Sequence, residues 1–208
     1  MEYGAELHRR NAGCGRGRAA GNESRTSRPA GLAMRAMAVE FPAVHGHPNR
    51  LPFEGVLTLV DVASDKAPSG ARGHRVMLTR TAAEAALPSL LGMAVDYKAG
   101  WDGHDARQKC GIITDAQVDG RRLTVAGFLF SKDFPEIEER LKLDGAMGMS
   151  YELAEAHVAD MNAQIWTLTR ATFTGAAIPL RDKAAYRETS FSVRRGAVPS
   201  PRRAVAGR

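Results

Sequence analysis

Two side chains in this sequence have the types and the settings for acid–base and nucleophilic chemistry. His104 lies in Gly100-Trp-Asp-Gly-His-Asp-Ala-Arg107, a polar, glycine-rich stretch leading into the apolar run Cys110-Gly-Ile-Ile-Thr114. An imidazole at the start of a strand, between a glycine and an aspartate, is well placed to be partly exposed and oriented, and imidazoles exchange protons near neutral pH. Ser150 lies in Leu143-Asp-Gly-Ala-Met-Gly-Met-Ser-Tyr-Glu152. Residues 147–154 alternate, so Met147, Met149, Tyr151 and Leu153 share one face of a strand, and Gly148, Ser150 and Glu152 share the other. Gly148 is expected to leave open space beside the hydroxyl, where a substrate backbone can approach closely. A serine hydroxyl is a weak nucleophile until a base takes its proton, so this reading requires His104 to reach Ser150. Nothing in the spacing shows that they meet. Structural roles compete: a loop histidine bonded to its own backbone, and a strand serine with no chemistry.

Other constellations are weaker. His45-Gly-His47 has a metal-ligand look, but it lies in a proline-flanked linker without a cysteine or carboxylate cluster nearby. Cys110 beside Gly111 in a strand reads as a packed thiol rather than a nucleophile. Glu136, Glu138 and Glu139 read as a solvated helix face. The glycine-rich segments lack the Gly-Lys-Ser/Thr ending of a phosphate loop.

Those residues need a scaffold, and the patterning supplies one. Phe53–Val62 is β-rich with a near-continuous apolar middle, which fits a buried strand. Thr81-Ala-Ala-Glu84 is a capping box opening an Ala/Leu helix to about Leu91, with Gly92 as the stop and Pro88 shortening or kinking it. Lys109–Gln117 and Leu123–Phe130 read as strands joined by a turn at Asp119-Gly120. Asp133-Phe-Pro-Glu136 caps a second helix, with Phe134, Ile137 and Leu141 as its buried stripe and Asp144-Gly145 as its end. Gln164–Phe173 reads as a strand, and Asp182–Tyr186 as a short helix. Five or six mostly antiparallel strands with two helices make an α+β arrangement, expected as a small barrel or curled sheet with helices outside.

Charge is unevenly spread. The 208 residues carry a formal net charge of +6. Residues 1–36 hold seven Arg and three Glu, and residues 192–208 hold five Arg and no acid, while the intervening part is net negative. The basic balance is therefore a property of the ends, which argues against reading the whole chain as a nucleic-acid binder. Residues 1–36 have few large apolar side chains and read as a disordered segment, or as a stretch ahead of a translation start at Met34 or Met37. Residues 37–191 form the expected domain, and 192–208 a flexible basic tail. The ends could touch a nucleic acid or an acidic partner. No run of apolar residues is long enough for a membrane helix, and no apolar core marks a secretory signal. Cys14 and Cys110 do not make a disulfide framework.

In their order, these pieces resemble the phage prohead (capsid maturation) proteases, whose fold is shared with the herpesvirus assemblin peptidases. The set runs from about Leu51 to Phe191: the β-rich opening, Thr79–Leu90, Gly103-His104-Asp105 before Gly111-Ile-Ile-Thr-Asp-Ala116, the Asp119-Gly120 hairpin, Gly148-Met-Ser150, Thr172-Phe-Thr-Gly-Ala-Ala-Ile178 and Ala184-Ala-Tyr186. The resemblance implies a serine endopeptidase with Ser150 as nucleophile and His104 as base, needing no metal or cofactor. It implies phage major capsid and scaffold proteins as substrates, and usually the chain itself. The setting would be the bacterial host cytoplasm and the assembling procapsid, with homo-oligomerisation as in assemblins. The third catalytic member is expected in the strand after the nucleophile, where the sequence reads Arg170-Ala-Thr-Phe-Thr174. Thr172 is the nearest match, and His157, Asp105, Glu152 and Asp182 are substitutes. Two rival readings are a catalytically silent relative that binds scaffold during capsid assembly, and an unrelated β-rich binding domain with nucleic-acid-touching tails.

Overall fold

A computed structural model describes residues 46–144 and 147–194. The N-terminal segment 1–36, most of the tail 192–208, His45 and Gly145 lie outside the described residues. The elements in chain order are β1 (Leu51–Leu59), β2 (Arg75–Leu78), α1 (Arg80–Ala86), β3 (Ala94–Asp96), β4 (Lys109–Asp119), β5 (Arg122–Leu129), α2 (Pro135–Asp144), β6 (Ser150–Val158), β7 (Ile165–Ala177) and β8 (Ser190–Val193).

Local chemistry explains most boundaries. Gly120 takes φ of +54° in the tight β4–β5 turn, a conformation that costs glycine least. α1 is capped by Thr79 rather than by Thr81: the Thr79 hydroxyl accepts from the Ala82 N–H at 3.2 Å. Ala82, Ala83 and Ala86 are buried, and their small size lets the helix lie close to the sheet. Pro88 ends the α-helical hydrogen bonding, and Leu87–Leu90 continues as a 3-10 turn. In α2, Ile137 is fully buried, with Phe134 and Leu141 packed beside it, as the stripe predicts. Residues 182–186 are successive turns, not a helix. Tyr186 is buried among them, its hydroxyl against the Val62 and Val76 carbonyls.

The eight strands form one sheet in the order β2-β7-β3-β4-β5-β1-β8, with β6 attached to β7 off that path. β2 and β3 both pair parallel with β7, at Leu168 and at Ala176–Ala177. β6 pairs antiparallel with the same β7 residues, so it occupies the opposite side of β7. The ends of the path, β2 and β8, do not pair with each other, and one isolated bridge, Val60–Leu78, joins the ends of β1 and β2.

This corrects two expectations. The sheet is open and mixed, neither a barrel nor a strongly curled sheet: most of its pairs are antiparallel, but β2 and β3 both join β7 in parallel. The barrel-type peptidase fold implied by the resemblance to prohead proteases and assemblins is absent, so that resemblance does not hold. Its motifs are short strand and turn signals whose order does not fix how strands pair. β2, β3 and β8 have only three or four residues each, too few to show a period in the sequence. They are what make the sheet wide and mixed.

Candidate active site

Sheet register brings the site together. Lys109 of β4 lies opposite Asp96 of β3, Asp96 lies opposite Ala177 of β7, and Ala177 lies opposite Ser150 of β6. Residues in register on neighbouring strands face the same way, so Lys109, Asp96, Ala177 and Ser150 form one row on one face. Asp96 and Ser150 are two strand spacings apart, about 10 Å between Cα atoms. The imidazole of His104 spans the gap between their side chains.

His104 comes from the loop between β3 and β4, which is pinned on both sides of it. Before it, Trp101 is buried and stacks on Tyr97 at 4.9 Å, and its carbonyl accepts from the Leu180 N–H. Trp101 holds φ of +55°, a region that a bulky residue occupies at a cost of about 1–3 kcal/mol. After it, the Asp105 N–H donates to Asp96 Oδ1 at 3.3 Å, and Asp105 Oδ1 accepts from the Arg107 N–H at 2.9 Å.

The contacts within the site are short. His104 Nε2 lies 3.1 Å from Ser150 Oγ. With its proton on Nδ1, the ring accepts at Nε2 from the serine O–H. Nδ1 faces Asp96 Oδ1 at 3.4 Å and Glu152 Oε1 at 4.0 Å. The Asp96 contact is within ion-pair range but outside hydrogen-bond geometry, so Nδ1 is buried without a hydrogen bond among the described residues. A small ring rotation would complete that bond, and such tightening on substrate binding is common.

Asp96 is a buried carboxylate, its side chain 2% exposed. Burial alone would raise its pKa, but its contacts with His104 and Lys109 outweigh that and hold it below the ordinary carboxylate range. Lys109 Nζ donates to Asp96 Oδ2 at 2.8 Å, which leaves Oδ1 for the imidazole. Lys109→Met is expected to destabilise the fold by about 2 kcal/mol in urea unfolding, because it takes a charged donor from a buried carboxylate. Cys110, one residue on, is buried, its thiol pushed up to about 12 by burial and its Sγ 3.3 Å from the Val95 carbonyl. That is the packed thiol the sequence predicts.

The space expected beside Gly148 is filled. A Cβ at residue 148 would come within 2.8 Å of Thr189 Oγ1 and 3.1 Å of the Arg181 Cα. Gly148 lets the 181–189 segment pack against the strand, and does not hold room for a substrate.

Of the residues singled out in the sequence, His104 and Ser150 meet. Thr172 does not join them: it lies on β7 opposite Ala154, about 16 Å along the strand from Ala177, with its hydroxyl 3.3 Å from Glu155. His157 is exposed and bonds Thr169 at 2.8 Å. Asp182 is exposed beside Lys183. Asp105 supplies a backbone donor to Asp96, and Glu152 stands at the rim. His47 accepts from the Asn49 N–H at 3.2 Å, and no cluster of three metal-ligating side chains occurs among the described residues. The carboxylate that faces the imidazole, Asp96, is one that sequence reasoning missed. Its one signal is an acid inside the apolar run Met93-Ala-Val-Asp96-Tyr97, where an unpaired carboxylate would be costly.

No protein-family model matches this chain, and no curated protein matches it either.

Proposed function

We propose that this protein is a serine-type endopeptidase with Ser150 as nucleophile, His104 as general base and acid, and Asp96 as the carboxylate that orients the imidazole. The observation that carries the reading is the 3.1 Å contact between His104 Nε2 and Ser150 Oγ, with a buried carboxylate behind the ring. As Ser150 Oγ attacks the peptide carbonyl carbon, its proton passes to Nε2. Asp96 favours the resulting imidazolium. Collapse of the tetrahedral intermediate breaks the C–N bond, and the amine leaves with the proton from Nε2. Water, deprotonated by the same nitrogen, then hydrolyses the acyl-serine and restores the hydroxyl.

A peptide substrate is favoured by the position of Ser150 on the sheet. β6 pairs with β7 alone, so its second edge has no strand partner among the described residues, and Ser150 is its first residue. An extended chain can add to such an edge through backbone hydrogen bonds, which would hold a scissile bond across the nucleophile. The test is incubation with unfolded polypeptides, capsid and scaffold proteins among them, followed by mass-spectrometric mapping of new termini. New termini with the wild type and none with Ser150→Ala support the reading. The same termini from both, or none from either, overturn it.

A further inference from the structure

We infer that Glu152 makes this site selective for arginine-bearing peptides; the inference rests on the peptidase reading above. Glu152 lies two residues beyond Ser150 on the same strand face, about 7 Å away along β6. Its side chain is 56% exposed, although it also approaches the imidazole. Its strand partner is Gly175, and a Cβ there would come within 2.6 Å of Glu152 Oε2. The absent side chain of Gly175 thus lets the carboxylate lie across β7 at the rim of the site, held beside the nucleophile rather than extended into water.

The surrounding charges leave Glu152 unneutralised. Lys109 is committed to Asp96 at 2.8 Å and Lys98 to Asp102 at 3.0 Å. No Lys or Arg forms an ion pair with Glu152 among the described residues. Arg181 packs its Cα over Gly148, on the other side of Ser150 from Glu152. A peptide strand laid along the free edge of β6 would therefore meet a carboxylate next to the scissile bond. A guanidinium matches a carboxylate with two parallel N–H donors, so arginine is the side chain this rim recognises, ahead of lysine and far ahead of an acid.

The chain itself carries such sequences. Residues 1–36 contain seven Arg and residues 192–208 five, with no Lys in either segment. A peptide copying residues 22–33, with Arg25 and Arg28, is a natural probe. Its counterpart carries Arg25→Glu and Arg28→Glu.

The experiment measures kcat/KM of the full-length protein on both peptides, and repeats it with Glu152→Gln. The ratio between peptides cancels any common loss that Glu152→Gln causes through His104. The expected ratio is about tenfold in favour of the arginine peptide, the scale of a partly exposed ion pair opposed to a repulsion, and it shrinks at high salt. With Glu152→Gln the ratio falls to near one. Cleavage of both peptides at similar rates, or a ratio unchanged by Glu152→Gln, overturns the inference while leaving Ser150 as the nucleophile. No cleavage of either peptide by a wild-type protein that labels at Ser150 with a serine-directed phosphonate also overturns it. A wild type that neither cleaves nor labels overturns the peptidase reading itself.

Discussion

Ser150→Ala is expected to lower peptide hydrolysis by about 10⁴–10⁶-fold, with little change in stability. The size follows from what the substitution removes. Without Oγ there is no acyl-enzyme, and His104 is left with water as its only proton donor at that point. Removing His104 instead should cost about as much, because base and nucleophile act as a unit. The double variant should lose little more than either single one. That non-additivity separates a catalytic pair from two residues that each matter for packing. The single oxygen removed from Ser150 is half-buried and its one side-chain hydrogen-bond contact is with His104, so thermal unfolding should stay within about 1 kcal/mol of wild type. Kinetics on a peptide substrate, set beside a thermal melt, checks both halves.

Asp96→Asn should produce the second largest effect, a fall in kcat of about 10⁴-fold with a smaller change in KM. An amide in place of the carboxylate no longer favours the imidazolium and can donate to Nδ1, which would put the ring in the wrong tautomer. It also strands Lys109 beside a neutral group. The same substitution has a signature in stability against pH. The carboxyl of Asp96 is held below its ordinary value, so its stabilising contribution is fully present above the unfolded pKa near ~3.9. It is lost as pH falls through the lower, folded value. The wild-type melting temperature should therefore drop below about pH 4 more steeply than that of Asp96→Asn. Parallel curves for the two proteins would mean that Asp96 gains nothing from its contacts with His104 and Lys109.

The strands long enough to show a period were legible in the sequence. β1, β4, β5 and the start of β6 lie close to where patterning puts them, and the β4–β5 turn falls at Asp119-Gly120. The helix over 80–86 was legible in type but not in its cap. Thr79 and Thr81 both offer a hydroxyl, and only tertiary position decides which one faces the first free N–H groups. What the sequence concealed is pairing. Three strands of three or four residues carry no readable alternation, and two of them dock parallel on β7. The expected barrel failed for that reason, and the family resemblance failed with it.

The candidate site divides along the same line. His104 and Ser150 were legible because glycine-rich loops and a clean alternation mark them locally. Their meeting depends on register across β3, β7 and β6, which no spacing in the chain encodes. Asp96 was not legible because the strand after the serine, where an orienting group is expected, offers Thr172 instead. The carboxylate actually comes from upstream, at the end of a three-residue strand. Gly148 was legible as a close-approach position, but what approaches is the protein's own 181–189 segment.

The most direct test of the Ser150–His104 pair is the rate at which a fluorophosphonate modifies the protein, with the site located by peptide mapping. One adduct is expected, on Ser150, formed by the wild type and slowed by at least about 100-fold in His104→Ala, since general-base assistance is worth about 10²–10⁴-fold. An adduct on another residue, no adduct at all, or equal rates with and without His104 would contradict the pairing.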